Sequence, residues 1–154
     1  MRFLKQHKTL DVKNIDSKLN ASNGLRHSSL LPNSIRSLTV GPSNCGKTNV
    51  MISLIESPNG LKFKNIYLYS KSAPQPKYQC LERLIKPIKE INFSIFSHND
   101  DVIDPDKVQP SSIFIFDDVA CEKQNHIRSY FCMSRHKDVD SFYLCQADTK
   151  TVAS

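Results

Sequence analysis

The sequence predicts an α/β fold, a three-layer αβα sandwich in which helices cover both faces of a mostly parallel central sheet. Three observations lead there. Short apolar runs such as IFIFDDV at 113 to 119 are not interleaved with polar residues, as strands buried on both faces require. Segments with apolar residues at three- and four-residue spacing lie between those runs. The first run also passes into the first helical pattern through a glycine-bearing turn, Gly41 to Thr48.

Taken in order, residues 1 to 33 are rich in Asn, Ser and Lys without a sustained period, and read as a polar, basic N-terminal extension. LLPNS at 30 to 34 closes it with a turn. Residues 34 to 154 then form the core. Ile35 to Val40 is a strand. Lys47 to Ile55 is a helix with Val50, Met51, Leu54 and Ile55 as its apolar positions, stopped by SPNG at 57 to 60. NIYLYS at 65 to 70 is a second strand. Cys80, Leu81, Leu84 and Ile85 mark a second helix, which Pro87 ends or bends. INFSIFS at 91 to 97 alternates as a strand, and HNDDVIDPDKVQPSS is a polar loop with room for one helical turn. The strand at 113 to 119, a helix over 122 to 134 and a last strand, SFYLCQ at 141 to 146, complete the pattern.

Composition bounds the function. With 154 residues, 39% of them apolar and 23% charged, the chain has the make-up of one globular domain. It contains no apolar run of the ~18 residues that a membrane span needs. Its first residues, MRFLKQHKTLDVKN, develop no signal-peptide core, so an intracellular location is expected. Five cysteines without C-x-x-C pairing argue against a disulfide framework. Cys121, His126, Cys132 and His136 match no familiar zinc spacing, and free thiols are the better reading. The net charge of +6 is concentrated early: seven Lys and Arg against two Asp precede the glycine turn. Such a segment suits a nucleic-acid partner, as it would suit a solvated tail.

Gly41, Pro42, Ser43, Asn44, Cys45, Gly46, Lys47 and Thr48 satisfy G-x-x-x-x-G-K-[ST] between a strand and a helix. Glycines allow the loop amides to turn inward on phosphate oxygens, at a helix N-terminus that favours anions. Lys47 would add a cation on the β- and γ-phosphates, and the Thr48 hydroxyl a magnesium ligand. The expected cofactors are therefore a nucleoside triphosphate and Mg²⁺. Asp117 and Asp118 reach the carboxyl end of a central strand, Asp117 as the magnesium-side acid and Asp118 as the group that polarises water. Gln146, ending the last strand, would emerge at the same sheet edge and sense the γ-phosphate. Arg135 could stabilise charge in a neighbouring subunit's site, or be a surface cation near a helix end.

GPSNCGKT, IFIFDD, SRH and FYLCQ, in this order and spacing, resemble the poxvirus-type genome-packaging ATPases of the FtsK–HerA superfamily, with relatives in large DNA viruses and viral transposons. The resemblance spans about residues 34 to 147. It implies a P-loop NTPase core of RecA-like (ASCE) type with strand order 5-1-4-3-2, assembled as a homo-oligomeric ring that hydrolyses ATP and drives double-stranded DNA into a capsid. Partners would be that DNA and a capsid or portal component, in an infected cell or a virion. Carried over, the nucleotide-binding segment runs from Gly41 to Asn49, Asp117 is the Walker B acid, Asp118 the water-activating acid, Arg135 the arginine finger and Gln146 the sensor. Ser134 stands where relatives commonly have glycine. ADTKTVAS after the glutamine lacks the further strand and basic region usual in the family, so the core is expected to lack its last strand.

Two other classes fit parts of the pattern. A small nucleoside or nucleotide kinase would carry lid arginines after the fourth core strand, where only Lys150 follows Gln146 as a cation. A nucleotide-binding module without turnover fits the short C-terminus and an aspartate, one methylene shorter than glutamate, as second acid.

Overall fold

The computed structural model describes residues 24–119, 125–133 and 138–146. Five strands, β1 (Arg36–Gly41), β2 (Asn65–Ser70), β3 (Asn92–Phe96), β4 (Ser112–Asp117) and β5 (Val139–Gln146), form one sheet. Its order is β1-β5-β4-β2-β3, and every neighbouring pair is parallel. Among the described residues three helices, α1 (Lys47–Glu56), α2 (Pro76–Ile85) and α3 (Asn125–Met133), connect them. The loop between β3 and β4 contains two short 3₁₀ turns, at Asn99–Asp101 and Pro105–Lys107, where one helical turn was expected.

The alternation of side chains along a strand sorts the core into two kinds of layer. Ile66 and Leu68 of β2, Ile113 and Ile115 of β4, and Phe142 and Leu144 of β5 face α1 and α2, where Met51, Ile55, Leu81 and Ile85 meet them. This side is almost wholly aliphatic. The intervening residues Tyr67, Tyr69, Phe114 and Phe116 face the other way and pack with Ile127 and Tyr130 of α3 and with Val102 and Val108 of the 3₁₀ loop. That side is aromatic: the Phe114 ring lies 4.2 Å from Tyr130 and 4.5 Å from Phe116, centroid to centroid. Each such buried side chain contributes roughly 2 kcal/mol of transfer free energy. β2 and β4 are buried along their whole length, so the central strands read as unbroken apolar runs.

The architecture is thus an α/β three-layer sandwich with an all-parallel sheet, compatible with the RecA-like order. Counting the strands that end at the phosphate-type turn, the acid pair and the glutamine as first, third and fourth, β1-β5-β4-β2 reads 1-4-3-2. There are two differences from 5-1-4-3-2. β3 lies outside β2, and among the described residues no strand flanks β1, where Leu38 is 61% and Val40 54% exposed.

The chain before β1 is fastened to the base of the sheet. Asp140, fully buried on β5, accepts hydrogen bonds from the Ile35 amide at 2.7 Å and from His27 Nε2 at 2.9 Å, with Arg26 Nη2 at 3.2 Å. The Lys62 amide donates to His27 Nδ1 at 3.0 Å, which fixes the tautomer with its proton on Nε2. Burial raises the Asp140 carboxyl, opposed by these donors. Residues 26 and 27 therefore pack against the sheet, although the sequence groups them with the polar extension.

Candidate functional site

β1 delivers Gly41 to the carboxyl edge of the sheet, and the turn to α1 follows. The turn is tight because its backbone enters the left-handed region twice, at Asn44 (φ 59°) and Gly46 (φ 92°). Asparagine tolerates that region and glycine occupies it freely. Gly41 matters for a different reason: a Cβ there would stand 2.7 Å from Cys45 Sγ, so a larger residue would require that thiol to turn away. α1 starts after Gly46 without a side-chain cap, so its first amides are oriented toward the cleft by the helix itself.

Lys47 curls over this loop, with Nζ donating to the carbonyls of Gly41 at 2.9 Å and Pro42 at 2.8 Å. Thr48 points down to the sheet, and its hydroxyl lies 3.4 Å from Asp117 Oδ2. That meeting follows from strand alternation. Asp117 shares the parity of Ile113 and Ile115, so it falls on the aliphatic side, beneath α1 and α2. Tyr78, in the first turn of α2, donates its hydroxyl to the same Oδ2. Burial pushes the Asp117 carboxyl up, the Tyr78 and Thr48 hydrogen bonds pull it down, and the neighbouring Asp118 charge adds to the rise. Burial, then the Asp117 charge, pushes the Tyr78 phenol well above its ordinary range, so it remains a donor.

Asp118 does not continue the strand. With φ at 57° it turns its carboxylate along the sheet edge, where Oδ2 accepts from the Ser72 hydroxyl at 2.8 Å and Oδ1 lies 3.4 Å from Gln146 Nε2. Gln146 pairs in register with Gly41, which places the end of β5 directly beside the start of the loop. Ser43, Asn44, Cys45, Gly46, Lys47 and Thr48 line one cleft together with Asp117, Asp118 and Gln146, and Gln75 and Lys77 at the start of α2 close its far side.

No family profile, no curated protein and no solved structure matches the chain.

The cleft brings together nine of the thirteen site residues singled out in the sequence. Gly41 and Pro42 contribute through their carbonyls, which hold Lys47. Asn49 is exposed on α1, outside the cleft lining. Arg135 lies outside the described residues, as do Cys121 and His136 of the dismissed zinc set. Among the described residues no group of three or more His, Cys, Asp and Glu side chains gathers, and no helix is long and apolar enough to cross a membrane.

Four contributors were not singled out in the sequence. Ser72 and Gln75 belong to the segment joining β2 to α2, Lys77 and Tyr78 to the first turn of α2, and their proximity to the acids depends on β2 lying next to β4. Only Pro76, at the first position of the helix, hinted that α2 begins early enough to bring Tyr78 over the sheet edge.

Proposed function

We propose that the chain binds ATP with Mg²⁺ in this cleft and hydrolyses it, as one subunit of a ring that moves double-stranded DNA into a viral capsid. One observation supports the nucleotide reading above the rest. Ser43 to Thr48 of the G-x-x-x-x-G-K-T turn, an acid pair and a glutamine, carried at the ends of three different strands, line a single cleft.

The donor set suits a hard divalent cation. The Thr48 hydroxyl and the Asp117 carboxylate offer oxygen ligands 3.4 Å apart, with a second carboxylate in the next residue. Thr48 and Asp117 would hold the ion, which when bound neutralises phosphate charge. The chain's own groups do the rest. Loop amides and the α1 N-terminus bind phosphate oxygens. Lys47 exchanges its two carbonyl partners for phosphate oxygens. Asp118 orients the attacking water and takes up its proton, and Gln146, touching Asp118, reports the γ-phosphate to that acid. Arg135 is assigned to a neighbouring subunit's site.

The motor reading adds the resemblance of the motifs to packaging ATPases and the net charge of +6, which suits contact with a phosphate backbone. A binding module without turnover has one observation in its favour: both oxygens of Asp118 are engaged by protein side chains.

Steady-state ATP hydrolysis, with and without double-stranded DNA and with Lys47→Ala as blank, separates these readings. The motor predicts turnover above the blank that DNA raises. Nucleotide binding without turnover selects the binding module, and Lys47→Ala with wild-type ATP affinity overturns the site itself.

A further inference from the structure

The geometry points to Tyr78 as a positioning residue that sets the orientation of Asp117 for a divalent cation. The phosphate-loop pattern does not include this residue. The inference rests on the magnesium–nucleotide reading of the cleft and adds to it a group from a separate element.

Tyr78 is 1% exposed, and its ring is part of the aliphatic core beside Leu81 and Ile85. Phenylalanine would pack there equally well, whereas a phenol placed among aliphatic side chains requires a partner for its hydroxyl. That partner is Asp117 Oδ2. The same oxygen meets the Thr48 hydroxyl, so one carboxylate oxygen is fixed from two sides and Oδ1 is the oxygen neither contact takes. Two donors on one oxygen hold the carboxylate plane against rotation about its last bond.

The two donors differ in what they can do. Thr48 belongs to the loop that receives the nucleotide and is itself a candidate ligand. Tyr78 belongs to α2, is buried, and is anchored by packing whatever the loop does. It is therefore the fixed member of the pair, and the orientation of Asp117 is tied through it to the docking of α2 on the sheet. Hydrogen-bonded partners of metal-ligating carboxylates act in this way, and removing one costs roughly 10- to 100-fold in metal affinity.

Tyr78→Phe removes one oxygen and keeps the ring. The measurement is calorimetric binding of a non-hydrolysable ATP analogue across a Mg²⁺ series, beginning in excess chelator. The Mg²⁺ concentration for half-maximal enhancement is expected to rise roughly tenfold or more in Tyr78→Phe. Metal-free affinity for the analogue should remain that of the wild type, which verifies the fold within the same titration. In an Asp117→Asn background the same change should have no further effect, because the group being oriented is already gone. A Tyr78→Phe chain with the wild-type Mg²⁺ dependence overturns the inference alone. A wild-type chain without any Mg²⁺ dependence overturns the magnesium–nucleotide reading and the inference with it.

Discussion

Asp117 is held in an uncomfortable place: 8% exposed, next to a second carboxylate, with two neutral hydroxyls as its close donors. Its folded pKa is raised, so between the ordinary aspartate value near ~4 and that raised value the folded chain binds more protons than the unfolded one. Stability of the ligand-free chain therefore falls as pH rises through this window, and the loss is complete above the folded value. Asp117→Asn removes the titration. Thermal unfolding of both chains from about pH 4 to pH 7 is expected to show the variant gaining on the wild type as pH rises, then running parallel. A constant difference over the range would mean that burial does not strain this carboxylate. The acid pair itself was legible in the sequence, because four apolar residues running into two aspartates can only end a buried strand. The conformation of Asp118 was not. A left-handed aspartate leaves no mark in composition, and without it Asp118 would follow strand parity away from Gln146 instead of meeting it.

At the scale of elements, the order and type of the strands and helices were readable, since unbroken apolar runs and helical spacing leave few alternatives in a parallel sheet, although α2 begins at Pro76, four residues ahead of the first position its spacing marks. Less legible was the attachment of the chain ahead of β1. Arg26 and His27 sit in a stretch dominated by Asn, Ser and Lys, and nothing local says that both reach β5, more than a hundred residues later. The partner was equally hidden, because Asp140, followed by Ser141, precedes the apolar stretch of β5 and resembles a loop residue until its neighbours are known. The cluster makes a clear prediction. Asp140→Ala leaves His27 without its carboxylate, Arg26 with only the exposed Asp138 carboxylate at 4.0 Å, and the Ile35 amide without its acceptor. The expected loss in urea unfolding is about 3 kcal/mol, the usual cost of removing one partner from a buried pair. Asp140→Asn keeps an acceptor for the amide and should lose less. Equal stability of Asp140→Ala and the wild type would show that this segment does not help to hold the sheet.

For the molecule as a whole, the order β1-β5-β4-β2-β3 decides what can reach the cleft. β5 lies between the strand that ends at the phosphate-type loop and the strand that ends at the acids, so Gln146 can contact Asp118 while standing beside Gly41. The described cations lining this cleft, Lys47 and Lys77, come from the two helices on the aliphatic side, and none comes from the aromatic side. A motor subunit that needs a further cation for charge developing on the γ-phosphate would take it from a neighbour, which is the part given to Arg135. That arrangement predicts a specific pattern of complementation. Arg135→Ala should bind ATP as the wild type does and fail to hydrolyse it. Asp118→Asn should also bind and fail. Mixed, the Asp118→Asn subunit supplies an intact arginine to the intact acid of the Arg135→Ala subunit, and activity should return, peaking near equal ratio. Turnover of the wild type per subunit should rise with protein concentration for the same reason, since with the arginine acting in trans an isolated subunit would lack its donor. Mixtures silent at every ratio, or wild-type turnover per subunit independent of concentration, would place the required cation within the chain. Lys77, already at the cleft wall on the first turn of α2, would then be the residue to substitute next.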